Sequence, residues 1–299
     1  MIHVYHGEGA GVRDVIRGKE PERPVVVVRD EAALRASIGH VKILFTSSPP
    51  RGLWRGAHRL VLIQMMGAGV DDLLPAPDLP EGVAIAGLRG VFAAEVSEAA
   101  LAMVLALVRG LPALVARQLH QQWRPFASGT LAGRTMGILG HGAVGRRIAR
   151  AAEALGMSVV TFSRREGVLD DVVRASDVLV VCLPRTAQTE RLVDRRVLAL
   201  LPPGAFVVNV GRGGVIDEDA LREALLSGHV GGAALDVFAE EPLAASSPWW
   251  TAPNTIVTPH VAGFGLRYVE RAVDVLLENA RRLEAGTELI HRVDRNAGY

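Results

Sequence analysis

The stretch "TMGILGHGAVGRRIARAAEALGMSVVTF", residues 135 to 162, constrains the fold of this chain more than any other. "TMGIL" is strand-like, and three glycines spaced G-x-G-x-x-G follow it at once. Val144, Ile148, Ala152 and Leu155 then recur at helical spacing, Gly156 is suited to end the helix, and "SVVTF" resumes a strand. Strand, glycine turn, helix and strand make a βαβ unit, which points the amide groups of a helix N-terminus at a phosphate. Gly140 permits the tight turn, Gly142 lets a pyrophosphate approach the backbone, and Gly145 lets the helix lie close to the strand. Ala143 and Val144 belong to the same cofactor-binding turn.

The residues after the second strand select the dinucleotide. An Asp or Glu there accepts hydrogen bonds from the adenosine ribose 2′-OH and repels a 2′-phosphate. This chain instead has Ser163, Arg164 and Arg165. A hydroxyl and two guanidiniums donate to phosphate oxygens, which favours NADP(H) and leaves NAD(H) as the second choice. The alternative is a solvated turn in which Glu166 takes the place of the acid.

The remaining sequence limits what such a unit can serve. In 299 residues, 33 basic and 32 acidic side chains nearly cancel, so the chain lacks the positive field that nucleic-acid binding needs. Cys182 is the only cysteine, which excludes an intrachain disulfide and suits a reducing compartment. "MIHVYHGEGA" at the start does not read as a leader peptide. The longest uncharged apolar run, "AALAMVLALV" at 99 to 108, is shorter than the ~20 residues that span a bilayer. A cytoplasmic protein that neither enters a membrane nor binds nucleic acid is expected. No metal site is expected either, since His3 and His6 lack a partner cluster.

Short strands alternate with helices, which implies mainly parallel α/β sheets. "VVVV" (25 to 28), "VKILF" (41 to 45), "LVLIQ" (60 to 64) and "VAIA" (83 to 86) read as strands of a first unit, with a helix near 31 to 38. A long helix over 95 to 121, interrupted or bent at Pro112, leads into the second unit. Val269, Ala272, Val273, Leu276 and Leu277 mark a closing helix over 267 to 285, which has no strand after it and is free to pack back on the first unit.

Three later stretches put polar groups directly after apolar strands: "AFVVNVGRGG" (205 to 214), "GGAALDVFAEEPL" (231 to 243) and "NTIVTPHVAG" (254 to 263). In a doubly wound sheet ligands sit outside the carboxyl ends of the strands, so Arg212, Asp236, Glu241 and His260 are candidates for one crevice.

From "LPRTAQTERLVDRRVLALLPPGAFVVNVGRGGVIDEDALREALLSGHVGGAALDVFAEEPL" to "TPHVAG", the chain resembles the D-isomer-specific 2-hydroxyacid dehydrogenases. "GAGVDDL" (67 to 73) resembles their substrate-domain loop. With its Ser-Arg-Arg turn it is most similar to the NADPH-dependent glyoxylate/hydroxypyruvate reductase branch. The resemblance implies two doubly wound parallel-sheet α/β domains with a cleft between them. One is a Rossmann cofactor domain over 95–267, and the other a smaller flavodoxin-like substrate domain made of 1–94 and 268–299. The family's catalytic Arg, Glu and His fall on Arg212, Glu241 and His260. Its cofactor contacts fall on Leu183, Pro184, Thr189, Val210, Gly211, Asp236, His260 and Gly263, beside the glycine turn and Ser163–Arg165. Its substrate contacts fall on Gly67, Ala68, Gly69 and Arg212.

The implied reaction is reduction of a small 2-oxo acid to a D-2-hydroxy acid. Arg212 anchors the carboxylate and polarises the carbonyl, while His260 supplies the proton. Glu241 fixes the His tautomer and favours its charged form. Glu241 also separates the chain from formate dehydrogenases, which have Gln there and protonate no oxygen. A homodimer through the cofactor domain is implied as well. The alternative is a nucleotide-sensing corepressor of the same fold, a class that keeps the catalytic trio. The chain has nothing resembling that class's peptide-docking extension.

Overall fold

The computed structural model describes every residue except Asp72, Pro75 and Tyr299. Asp72, part of the "GAGVDDL" loop, therefore lies outside the described residues. The chain divides into two compact units, Met1–Val91 with Gly265–Tyr299, and Phe92–Phe264. Both boundaries fall three residues ahead of those drawn from the sequence.

The first unit is a five-stranded parallel sheet in the order β2-β1-β3-β4-β5. Its strands are β1 (Ile2–Tyr5), β2 (Val25–Val28), β3 (Ile43–Thr46), β4 (Leu62–Met65) and β5 (Ala84–Ala86). The flavodoxin-like order follows from β1 lying inside the sheet, paired with both β2 and β3. Neither β1 nor the helix after it, α1 (Gly9–Lys19), stood out in the sequence. "IHVY" is only four residues long, and its His3 is buried among apolar neighbours. The helix near 31 to 38 is α2 (Glu31–Ser37), whose N-cap Asp30 accepts a hydrogen bond from the Ala33 amide at 2.8 Å. The Gly67–Gly69 loop leaves the carboxyl end of β4, and the Gly67 carbonyl accepts from the Leu88 amide at 2.9 Å.

The C-terminal helix, α9 (Tyr268–Ala285), packs on this sheet and ends at Gly286 in the left-handed region. A buried amide pair ties it down. Asn279 donates to Gln64 Oε1 at 2.8 Å and to the Ile290 carbonyl at 3.1 Å, and accepts from the Ile290 amide at 2.8 Å. Gln64 in turn donates to the carbonyls of Met65, Ala86 and Gly87.

The second unit holds a six-stranded parallel sheet in the order β11-β10-β9-β8-β6-β7. Its strands are β6 (Thr135–Leu139), β7 (Ser158–Phe162), β8 (Val178–Val181), β9 (Ala205–Asn209), β10 (Val230–Leu235) and β11 (Thr255–Val257). The winding reverses between β6 and β8, which makes the crevice at their carboxyl ends the switch point of the sheet. Period-two alternation sends its apolar side chains to two cores. Met136, Ile138, Val180 and Val208 meet one helical layer, made of α3 (Ala93–Val108) and α5 (Ala143–Ala154). Leu139, Leu179, Val181 and Val207 meet Val172 of α6 (Leu169–Arg174), Leu198 of α7 (Arg195–Leu198) and Leu221 of α8 (Glu218–Leu226) on the other face.

Two expectations change here. The helix over 95 to 121 is two helices, α3 and α4 (Leu111–Leu119), bent by 70°. The break is at Gly110, whose φ of +68° only glycine adopts cheaply, while Pro112 sits in the first turn of α4, where its missing N–H costs nothing. Leu155 leaves the buried face of α5 and is 44% exposed, because the helix closes at Ala154. Gly156 (φ +80°) donates to the Glu153 carbonyl and Met157 to that of Ala152, a Schellman ending. No single helix among the described residues is long and apolar enough to cross a membrane.

The amide pair gives a test of how α9 is held. Asn279→Leu leaves Gln64 Oε1 and the Ile290 amide buried without their partner, and unsatisfied groups of this kind cost about 1–3 kcal/mol each. The urea midpoint should fall accordingly. An unchanged midpoint would show that α9 is held by apolar packing alone.

Candidate active site

The crevice of the second unit is built from backbones brought closer than side chains allow. A Cβ on Gly140 (φ +109°) would lie 2.9 Å from the Cys182 carbonyl oxygen, and one on Gly145 would lie 2.1 Å from that of Gly140. Glycine at 140 thus seats the β6 turn against the end of β8, and glycine at 145 seats α5 against that turn. Gly142 is the extended N-cap of α5, with nothing within 4 Å of where its Cβ would stand. No side chain caps this helix and its first turn carries no acid, so the amides at Ala143, Val144 and Gly145 suit a pyrophosphate.

Beyond β7, Ser163 and Glu166 close a tight turn, with the Ser163 amide donating to the Glu166 carbonyl at 2.9 Å and the Arg165 amide to Ser163 Oγ at 3.3 Å. Arg164 and Arg165 are exposed at its tip. After β8, Thr189 Oγ1 donates to the Pro184 carbonyl at 2.6 Å and accepts from the Thr186 amide at 2.8 Å, so its hydroxyl shapes the loop behind Leu183 and Pro184. Burial pushes the neighbouring Cys182 thiol up to about 12, and it stays protonated.

After β9, the polypeptide turns at Val210 and Gly211 and presents Arg212. Asn209, 2% exposed, orders this turn, since its Oδ1 accepts from the Gly211 amide and its Nδ2 donates to the Arg212 carbonyl, both at 3.0 Å. One Arg212 nitrogen donates to the Gly211 carbonyl at 2.7 Å. A Cβ on Gly213 would stand 1.9 Å from the Phe238 carbonyl carbon, so the turn lies directly on the loop after β10.

That loop carries Glu241. One carboxylate oxygen accepts from the Phe238 amide at 2.8 Å, and the other meets His260 Nδ1 at 2.7 Å. Burial alone would raise the Glu241 carboxyl. The hydrogen bonds from His260 and the Phe238 amide, with the nearby charges of His260 and Arg212, bring it below its ordinary value. Glu218, half-buried in the first turn of α8 (Glu218–Leu226), accepts from the Ala239 amide at 2.5 Å and braces the same loop. Burial pushes the Glu218 carboxyl up despite that bond and one from Trp249, and Asp219 and Glu241 add to the rise.

His260 follows β11 with a φ of +54°, left-handed backbone that a non-glycine residue holds only under constraint. Asp236, 1% exposed, supplies the constraint. Its carbonyl accepts from the His260 amide at 2.8 Å, and its carboxylate accepts from Thr258 Oγ1 at 2.5 Å and from the Val261 and Ala262 amides at 3.0 Å each. Gly263 follows directly, with Val96 and Phe92 at ordinary contact distance from a would-be Cβ.

The second unit thus places Arg212, Glu241 and His260 at the carboxyl ends of three adjacent strands, beside the glycine turn, Leu183, Pro184 and Asp236. The Gly67–Gly69 loop belongs to the first unit. Sequence reasoning missed Asn209 and Glu218, the groups that hold the Arg212 and Glu241 loops. Asn209 did leave a signal, as the first polar residue after the apolar run "AFVV". Among the described residues, no group of three or more His, Cys, Asp or Glu side chains is placed to hold a metal ion.

A doubly wound sheet with a glycine turn at its switch point and an Arg, Glu and His at its strand ends defines a dehydrogenase of the Rossmann class. Residues 101–262 match the family model of the D-isomer specific 2-hydroxyacid dehydrogenase NAD binding domain, and the chain belongs to that family. It is 34% identical to glyoxylate/hydroxypyruvate reductase A of Serratia proteamaculans over 269 residues, covering 84% of this chain and 85% of that protein. It superposes with a TM-score of 0.89 and 30% identity on the NADPH-dependent glyoxylate/hydroxypyruvate reductase of Sinorhizobium meliloti, solved with NADP and sulfate, covering 100% of this chain and 99% of that one. A D-isomer specific 2-hydroxyacid dehydrogenase from Xanthobacter autotrophicus Py2, solved with NADPH and MES, gives a TM-score of 0.86 at 31% identity, again over 100% and 99%.

A carboxyl held below its ordinary value of 4.5 contributes stability that is complete above that value and is lost as the pH falls through the lower folded-state value. Glu241→Gln removes this contribution. The fall in urea midpoint between neutral and acid pH should become shallower, by about 1 kcal/mol or less because the Glu241–His260 pair is partly in solvent. An identical acid limb would mean that Glu241 titrates as a free carboxylate.

Proposed function

We propose that this protein is an NADPH-dependent reductase of small 2-oxo acids of the glyoxylate and hydroxypyruvate kind, forming the D-2-hydroxy acid. The observation that carries the reading is the Glu241–His260 hydrogen bond, set at the strand ends beside Arg212. When bound, NADPH supplies the hydride that reaches the substrate carbonyl carbon. The uncapped α5 N-terminus and the open space at Gly142 take its pyrophosphate, and Ser163, Arg164 and Arg165 take its 2′-phosphate. Leu183, Pro184, Val210, Asp236 and Gly263 complete the cofactor contacts, while Thr189 acts through the loop it shapes. The relatives solved with NADP or NADPH support this choice of cofactor.

Arg212 pairs its guanidinium with the substrate carboxylate and aligns the neighbouring carbonyl. His260 gives a proton to the carbonyl oxygen as the hydride arrives. Glu241 accepts from Nδ1, which leaves Nε2 as the donor and offsets the positive charge the ring carries before transfer. The protein acts in the cytoplasm, the reducing compartment that its single cysteine suits, and as a homodimer joined through the cofactor domain, as the family resemblance implies.

A panel of 2-oxo acids with NADPH tests the activity, and two variants test the roles. His260→Gln should lower kcat by about 100-fold or more, the usual scale for a general acid, with the NADPH Kd nearly unchanged. Turnover within a few-fold of the parent would remove His260 from proton transfer. Arg212→Lys keeps the charge but loses the planar fork, so kcat and the affinity for the 2-oxo acid should both fall. Normal kinetics in the Lys variant would make Arg212 a structural residue.

A further inference from the structure

The Ser163–Arg165 turn ends in an acid that the reaction leaves unused. Glu166 is fixed at its backbone by the pairing with Ser163, and Gly167 (φ +80°) then turns the chain so sharply that a Cβ there would stand 2.3 Å from the Thr161 carbonyl oxygen. The Glu166 carboxylate does not simply trail into solvent. Its Oε1 meets Nδ1 of His141 and accepts from Thr161 Oγ1 at 3.0 Å. His141 is the middle residue of Gly140-His141-Gly142, so a side chain of the glycine motif reaches across to the end of β7. Its own carbonyl is held by Arg146 of α5 at 3.0 Å. The hydrogen bond with His141 lowers the Glu166 carboxyl from its ordinary value, with that from Thr161 adding, so a carboxylate stands between the two loops assigned above to the cofactor's phosphates.

A carboxylate near this strand end has a known physical effect. It accepts from ribose hydroxyls and repels a 2′-phosphate, which carries nearly two negative charges at neutral pH. The acid that would favour NAD(H) is therefore present three residues late in the turn, and it is engaged by His141 and Thr161. We propose that the His141–Glu166 pair is a cofactor-selectivity device, in which the His141 hydrogen bond holds the Glu166 carboxylate so that Ser163, Arg164 and Arg165 face a 2′-phosphate without a competing acid. The proposal rests on the assignment of that turn to the 2′-phosphate. Neither residue touches the reacting atoms, and both act only through cofactor binding.

The test is calorimetric binding of NADP⁺ and NAD⁺ to the purified protein, with four variants beside the parent. His141→Ala should lower the preference for NADP⁺ by roughly fivefold, the upper scale for a solvent-exposed charge interaction. Glu166→Gln should keep or raise the preference, and the double variant should follow Glu166→Gln, because without the carboxylate His141 has nothing to hold. A His141→Ala preference within twofold of the parent, or a double variant as low as His141→Ala, would overturn the proposal. The fourth variant, Arg164→Ala with Arg165→Ala, tests the underlying assignment separately. If it retains the parent's preference, or the parent has none, the arginine assignment fails. In that event the proposal falls with the assignment, whereas a preference lost in this variant beside an unshifted His141→Ala overturns the proposal alone.

Discussion

The candidate site depends on the buried carboxylate of Asp236. It accepts hydrogen bonds from Thr258, Val261 and Ala262, and its carbonyl takes the His260 amide. Left-handed backbone at a non-glycine residue costs about 1–2 kcal/mol, and these bonds, made to a residue that is itself 1% exposed, hold His260 there. The placement of His260 in turn lets its Nδ1 meet Glu241, whose other oxygen is fixed by the Phe238 amide. In the proposed reaction, an imidazole whose place and direction are set in advance loses little freedom when a substrate arrives.

The strand ends converge because glycine lets backbones touch. Gly140 lies on Cys182, Gly145 on Gly140, Gly211 on Leu183 and Gly213 on Phe238, each where a Cβ would stand under 3 Å from its neighbour. These contacts stack the loops after β6, β8, β9 and β10 side by side. The polar groups that follow then share one crevice although they lie as far apart in sequence as Gly140 and His260. Asn209 and Glu218 add the side-chain braces, one on the Arg212 turn and one on the Glu241 loop.

Much of this was legible in the sequence because it is written in local patterns. The βαβ unit around Gly140, the polar residues after each apolar strand, and the closing helix all follow from spacing. What escaped depended on distant partners or on competition between neighbours. β1 is too short and too mixed in polarity to show itself, yet it sits inside its sheet. The helix break went to Gly110, not Pro112, because a proline in a first turn is harmless while a left-handed φ ends a helix outright. The bracing roles of Asn209 and Glu218, the engagement of the Thr189 hydroxyl with its own loop, and the meeting of His141 with Glu166 require the fold, since nothing in the spacing of those residues announces the contact.

The central claim is that this crevice delivers a hydride and a proton to the two ends of a 2-oxo acid carbonyl. It is tested most directly by following the hydrogen itself. With hydroxypyruvate and NADPH deuterated at C4 on the transferring face, the account predicts a product of D configuration carrying deuterium at C2. Product without the label, product of L configuration, or no product at all would contradict it.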